Sequence, residues 1–100
     1  MRTHQALTGK GELRLDDELI GVGSYELLIA RENERITMAF GGIDLREHLI
    51  EFIRTNHGVY SLKLANGPTI RINLIEGALG NRLDLDVHEN DLECLEPVPA

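Results

Sequence analysis

Residues 24–40 read SYELLIARENERITMAF, and this stretch decides the fold class. Apolar and polar side chains alternate on both sides of a polar centre, a period of two that is typical of strands with one buried face. A two-residue loop at Glu32-Asn33 sets Ile29 opposite Ile36, and it also matches two further apolar pairs, Leu27 with Met38 and Tyr25 with Phe40. Asn33 tolerates the positive φ that such a turn requires. The stretch therefore predicts an antiparallel hairpin with these side chains on its inner face.

The same alternation recurs along the rest of the chain. It marks segments at 13–15, 60–64, 70–74 and 83–87, whose apolar residues all fall on every second position. The inward positions switch from even to odd between Val22 and Tyr25, so we expect a β-bulge near Gly23.

Two further turns follow from matching apolar faces. At Asn66-Gly67, a two-residue loop would set Leu62 opposite Arg71, so we expect either a five-residue loop, 65–69, with Leu64 opposite Ile70, or a bulge. Residues 76–81 (EGALGN) then form a loop that keeps Leu74 opposite Leu83.

One segment breaks the alternation and predicts a helix at about 44–56. Its apolar residues are spaced as one helical face, at Leu45, Leu49, Phe52 and Ile53. Asp44 is the expected N-cap, and Gly58 can end the helix. The outer face of the 24–40 hairpin is itself partly apolar, and this helix is one candidate to cover it.

The predicted fold is mainly β (α+β): a small six-stranded antiparallel β-barrel or roll of order β-β-β-α-β-β-β. The order resembles that of OB-type barrels, which have five strands, and it also fits a split barrel. This resemblance concerns the fold alone. We expect a flexible segment at 1–10, one barrel-like domain at 11–95 and an extended tail at 96–100.

The charge distribution argues against nucleic acid as a partner. The chain of 100 residues has a formal net charge of −7. Six acidic residues lie near its C-terminal end with no Lys or Arg among them: Asp84, Asp86, Glu89, Asp91, Glu93 and Glu96. Such a surface repels phosphate backbones and anionic lipid. Cys94 is the single cysteine, and no long apolar run occurs, so we expect a cytoplasmic protein with no membrane contact.

The candidate binding residues form two groups. Asp84, Asp86 and His88 alternate, so they project from one face, which suggests either a protective acidic edge or a metal-binding row. Lys63 and Arg71 lie on the outer positions of the 60–74 segment and could contact a ligand. The spacing along a strand is too wide for chelation without a loop, so we assign no metal ligands and no cofactor.

Three functions compete. The first is a non-catalytic protein-interaction or structural module, which binds another protein or itself as a homodimer through an edge strand. The second is a small-ligand or metal-binding barrel. The third is a hydrolase-type enzyme that uses His48 and Glu51, which are three residues apart on the predicted helix. Because no catalytic motif supports the third function, we assign no catalytic residues and expect no enzyme activity.

Overall fold

The computed structural model describes residues 2–76 and 81–95, which form a closed antiparallel barrel. The elements in chain order are β1 (Arg2–Leu15), β2 (Glu18–Glu32), β3 (Arg35–Asp44), α1 (Glu47–Thr55), β4 (Tyr60–Lys63), β5 (Thr69–Glu76), β6 (Arg82–Val87) and a 3₁₀ helix (Glu89–Leu95). Around the barrel the strands follow the order β1-β2-β3-β6-β5-β4. The predicted element order is confirmed, and the structure is a barrel and not a roll. Neither helix in the described ranges is long and apolar enough to cross a membrane.

Aliphatic side chains from alternate strand positions fill the barrel. The largest fully buried ones are Leu13, Leu27, Ile29, Ile43, Leu62, Ile70 and Leu85. The inward positions predicted for β1, β4, β5, β6 and the second half of β2 agree with this core, but Val22 of β2, also predicted to face inward, is 57% exposed. Two aliphatic residues of the 3₁₀ helix, Leu92 and Leu95, join it. The core therefore consists mainly of Leu and Ile, as the scarcity of aromatic residues requires.

The β2–β3 hairpin forms, but its predicted register is wrong. Its turn is Asn33-Glu34, with φ values of 53° and 69°, one residue later than expected. Ile29 pairs with Ala39 in place of Ile36. The register also shifts at Thr37, an extra residue between the Arg31–Ile36 and Ala30–Met38 pairs, and its hydroxyl donates to the Ala30 carbonyl. This bulge reverses which positions of β3 face inward.

The other predicted turns and bulges are shifted by one to three residues. The bulge expected near Gly23 lies at Ile20, because Leu13 pairs with Gly21 and Arg14 pairs with Leu19. The β4–β5 turn places Leu62 opposite Ile70 and leaves Ala65–Gly67 at its tip, where Gly67 adopts φ 118°. Leu74 pairs with Leu85 rather than with Leu83. Of the 76–81 loop, residues 77–80 lie outside the described residues.

Three long strands project beyond the shorter half of the barrel. β1 starts at Arg2, in the segment that was expected to be flexible, because β2 pairs with it from Arg2 to Leu15. β4 pairs with β1 only at Glu12–Leu15, and β6 pairs with β3 only at Phe40–Asp44. The three-stranded ribbon of β1, β2 and β3 therefore extends past β4, β5 and β6, and the molecule measures 41 × 27 × 20 Å. The expected tail at 96–100 lies outside the described residues.

α1 is shorter than the predicted helix and does not cover the outer face of the hairpin. Asp44 belongs to β3, and the N-cap is Arg46, which makes no side-chain capping hydrogen bond. The helix buries Leu49 and Ile50, and Leu49 lies directly against Gly21 near the β1–β2 turn. Within residues 2–76 and 81–95, α1 therefore leaves the outer face of the β2–β3 hairpin uncovered.

Candidate functional site

The predicted row at 84–88 lies on the outside of the barrel, as the alternation required. Asp84 is exposed, and its carboxylate lies 3.8 Å from Arg82 Nε. Asp86 accepts a hydrogen bond of 2.8 Å from the side chain of Asn73. His88 follows the end of β6, and its Nδ1 accepts a hydrogen bond from the backbone N–H of Asn90. β6 is paired on both sides, by β3 and β5, so the interpretation of this row as a protective edge is wrong.

No convergent metal ligands accompany this row. Within residues 2–76 and 81–95, no three His, Cys, Asp or Glu side chains are grouped closely enough to hold a metal ion. The carboxylates of Asp84 and Asp86 instead border two surface depressions, described below.

Lys63 and Arg71, the second group of predicted binding residues, have different structural roles. Lys63 is partly buried on β4 and pairs in register with Thr69 of β5 and Glu12 of β1. Arg71 donates to both carboxylate oxygens of Asp91, from Nε at 3.1 Å and from an Nη nitrogen at 2.9 Å. The backbone N–H of Arg71 also donates to Asp91 at 2.7 Å. Arg71 therefore anchors the 3₁₀ helix to β5.

The contacts between Arg71 and Asp91 change the pKa of both groups. The side-chain hydrogen bond from Arg71 is the largest cause that lowers the pKa of Asp91, and it outweighs the opposing effect of burial. The same hydrogen bond raises the pKa of Arg71. A lowered carboxylate pKa stabilises the fold above the unfolded-state pKa, about 4, and this stabilisation disappears as the pH falls through the folded-state pKa.

Replacing Asp91 with asparagine should therefore make the thermal midpoint less dependent on pH in the acidic range. Above about pH 5 we expect a lower thermal midpoint for Asp91→Asn than for the unmodified chain, because the charged hydrogen bonds to Arg71 are lost. Below the folded-state pKa the two midpoints should converge. Circular dichroism melts between about pH 2 and 7 measure both curves.

Glu93→Gln is the matched control, since Glu93 is an exposed carboxylate on the same 3₁₀ helix. An equal loss of midpoint in both variants, or a difference for Asp91→Asn that does not change with pH, would contradict the assigned role of Asp91.

A groove of about 830 Å³ lies beside β3, and we call it the β3 groove. One wall consists of six consecutive residues, Arg35 to Phe40. Consecutive strand residues point to opposite faces, so a wall made of all six is the edge of the strand. The opposite wall comes from the end of β6, from β5 and from the 3₁₀ helix, with Asn73, Asp86, Val87, His88, Glu89, Leu92 and Glu93.

Apolar side chains stand exposed along the outer side of this groove. Met38 is 53% exposed and Phe40 is 41% exposed, although the sequence places both on the inner face. Leu28 of β2 pairs in register with Phe40, and Ile75 of β5 pairs in register with Asp84 of β6. We call Leu28, Met38, Phe40 and Ile75 the outer patch. A smaller depression of about 400 Å³ is lined by Leu28, Phe40 and Ile75 of this patch, and it shares Phe40 and Asp86 with the β3 groove.

Carboxylates predominate around these apolar side chains. The two depressions together are lined by two guanidinium groups, from Arg35 and Arg82, and by five carboxylates, from Glu26, Asp84, Asp86, Glu89 and Glu93. Sequence reasoning found Asp84, Asp86 and His88 but missed Met38 and Phe40 as surface residues. The sequence did contain one signal of this outward orientation. β3 continues past Phe40 through Gly41-Gly42-Ile43, and Ile43, an odd-numbered residue, can face inward only if the even-numbered Met38 and Phe40 face outward.

The residues considered for catalysis are not gathered at one place. His48 is exposed on α1 and lines a depression beside Gly21, whereas His57 lines a separate one beside Tyr60. Glu51 forms an ion pair with Arg54 on the surface of α1.

Tyr60 fixes the segment after α1, because its hydroxyl donates a hydrogen bond to the Asn56 carbonyl. Burial raises the pKa of Tyr60, and Asp16 adds a smaller effect in the same direction.

Comparison of the chain with protein-family models, with curated proteins and with solved structures finds no match.

Proposed function

We propose that this protein is a non-catalytic protein-interaction module that binds a partner protein at the β3 groove and the outer patch. The observation that carries the proposal is the exposure of Met38 and Phe40 beside a strand edge that lacks a neighbour in the described part of the chain. Phe and Met are enriched in protein interfaces. Fully burying one such side chain contributes about 1.5–3 kcal/mol.

The position of the outer patch within the fold supports the proposal. Met38 and Phe40 lie on β3, a strand of the closed barrel, so rigid strands hold them in place on its outer side. The 3₁₀ helix lies against β3 but leaves the side chains of Met38 and Phe40 exposed, and α1 lies near Gly21. Apolar side chains rimmed by charged groups are typical of interaction surfaces. The single exposed cysteine, Cys94, fits the cytoplasmic location that we expect.

Site-specific photo-crosslinking tests this proposal. A photoreactive amino acid replaces Met38 in one variant and Val22 in another. Val22 is also an exposed apolar strand residue, at 57% exposure, but it lies on β2 next to Glu12 and outside both depressions. In extracts of the cells that make this protein, we expect a discrete adduct from position 38 and none from position 22.

Competition distinguishes a specific partner from non-specific capture. Excess unlabelled protein should abolish the adduct at position 38, whereas excess of a folded Phe40→Asp variant should not. Adducts of equal yield from both positions, or equal competition by the two proteins, would refute the proposal.

Self-association is the second candidate, and the free side of β1 favours it. Residues 2–11 of β1 pair with β2 on one side, and no strand of the described chain pairs with them on the other. This segment contains no proline and a single lysine, Lys10, and its register with β2 is unbroken to Leu13. Such an edge can pair with the same edge of a second copy.

Light scattering coupled to size-exclusion chromatography tests self-association. A homodimer has twice the 11.2 kDa mass of the chain, and Ala6→Lys should shift it towards monomer because an edge lysine opposes strand pairing. Val59→Lys, at an exposed loop position, is the control. A monomer at every concentration would remove this candidate.

A further inference from the structure

The free edge of β3 arises where β6 turns away. β6 pairs with β3 from Arg82 to Asp86, and the chain then leaves β3, because the His88 N–H donates to the Arg71 carbonyl of β5 and the 3₁₀ helix starts at Glu89. Residues 35–39 of β3 therefore pair with β2 on one side only within the described chain.

This edge presents hydrogen-bonding groups to the β3 groove. In an antiparallel strand, every second residue directs its N–H and C=O away from the neighbour on a given side. A strand edge with unpaired groups is a template for a further strand. The segment 35–39 contains neither proline nor lysine, and its edge-protecting features are the charge of Arg35 and the bulge at Thr37. The bulge at Thr37 bends the edge, so an added strand should be short, with about three to five paired residues.

The side chains around the edge define the partner's composition. An added strand would have one face beside Met38 and Phe40, which requires apolar side chains on that face. Its other face would lie towards the 3₁₀ helix, where Glu89 and Glu93 line the groove. Because strand side chains alternate between faces, apolar and basic residues should alternate along the partner.

We infer that the β3 groove binds an extended segment of the partner protein, which adds as a short β-strand to residues 35–39 and alternates apolar residues with Lys or Arg. This inference rests on the proposed function and specifies the partner's chemistry. Backbone hydrogen bonds would give affinity, while Met38, Phe40, Glu89 and Glu93 would give specificity.

A synthetic peptide tests this inference. The probe is an amidated and acetylated octapeptide of four Lys-Val repeats, added to the full ¹⁵N-labelled chain. Nuclear magnetic resonance then measures amide shifts and hydrogen exchange. We expect saturable shifts centred on residues 35–40 and slower exchange of the groove-facing amides among residues 35–39. A block peptide of four lysines followed by four valines should bind at least roughly tenfold more weakly, because only one of its faces can match at a time.

Charge reversal supplies the matched protein control. Glu89→Lys combined with Glu93→Lys should weaken binding of the Lys-Val peptide by roughly tenfold at low salt. Glu18→Lys combined with Glu47→Lys changes the net charge equally, at exposed positions outside the groove, and should leave binding nearly unchanged.

The outcomes separate this inference from the proposed function. Equal binding of both peptides, or binding without protection in residues 35–39, would overturn the extended-segment inference. If photo-crosslinking at position 38 still captures a specific partner in that case, the proposed function stands with a partner of different structure. If crosslinking also fails, both are refuted.

Discussion

Gly41→Ala is expected to lower the thermal midpoint by roughly 10 to 20 °C. A Cβ atom at Gly41 would overlap the carbonyl oxygen of Glu26 on the adjacent strand. Backbone atoms held in the β2–β3 ladder cannot move aside as a side chain can. Gly41 also pairs with Leu85 of β6, so the strain falls where the ribbon joins the other half of the barrel. Overpacking of this kind costs about 1–3 kcal/mol, and more where the backbone must shift.

Gly21→Ala is the matched control for that prediction. Gly21 is also a strand glycine with a crowded Cβ position, but the atom it would meet is the terminal Cδ2 methyl of Leu49, which can rotate away. Circular dichroism melts of the two variants should therefore show a large loss for Gly41→Ala and a small one for Gly21→Ala. Equal losses, or a loss of only a few degrees at Gly41, would contradict the described approach of β2 to β3.

Leu62→Ala is expected to destabilise the fold by about 3–5 kcal/mol, near the upper end for a buried leucine. Leu62 is 0% exposed and lies on β4 between Leu13 of β1 and Ile70 of β5, both also fully buried. β4 has only four residues, yet it joins β1 to β5 and so closes the barrel. Such a cavity cannot easily collapse, because strands paired on both sides surround it.

Leu19→Ala removes the same atoms from a side chain that is 54% exposed, and it should cost less than about 1 kcal/mol. Urea unfolding measures both differences in the free energy of unfolding. A cost below about 1.5 kcal/mol for Leu62→Ala would mean that Leu62 is not at the centre of a packed barrel seam.

Alternation predicted which strands form and, for four of them and the second half of β2, which side chains face inward. Leu27, Leu62 and Leu85 follow directly from a period of two, because one buried face needs an apolar residue at every second position. The helix was also predictable, since Phe52 shares a helical face with Leu49 and Ile53 but would lie on the opposite face of a strand.

Register was harder to predict, and the bulge at Thr37 shows why. The predicted hairpin matched every apolar residue with another, and this criterion favours a continuous ladder. The structure instead inserts one extra residue, which turns Met38 and Phe40 outward and Ala39 and Ile43 inward. Closure of the barrel requires Gly41 and Gly42 of β3 to pair with β6. A local sequence pattern does not predict which distant strand will pair with β3.

The candidate site was therefore only half visible in the sequence. Asp84, Asp86 and His88 were identified by their alternation, and they do border the β3 groove or its neighbour. Met38 and Phe40, the apolar residues beside them, were assigned to the core because the predicted register of the β2–β3 hairpin was wrong. Arg71 was identified as an exposed cation, but its pairing with Asp91 depends on the position of the 3₁₀ helix, which no local pattern indicated.

Amide hydrogen exchange along β3 of the unbound protein tests the central claim most directly. If residues 35–39 pair with β2 on one side and border the β3 groove on the other, slow amides that face β2 should be interleaved with fast amides that face the groove. Residues 41–43, which are paired on both sides, should be protected throughout. Uniform protection from 35 to 43 would show that the edge is already occupied, and uniform rapid exchange of residues 35–39 would show that the ribbon does not form.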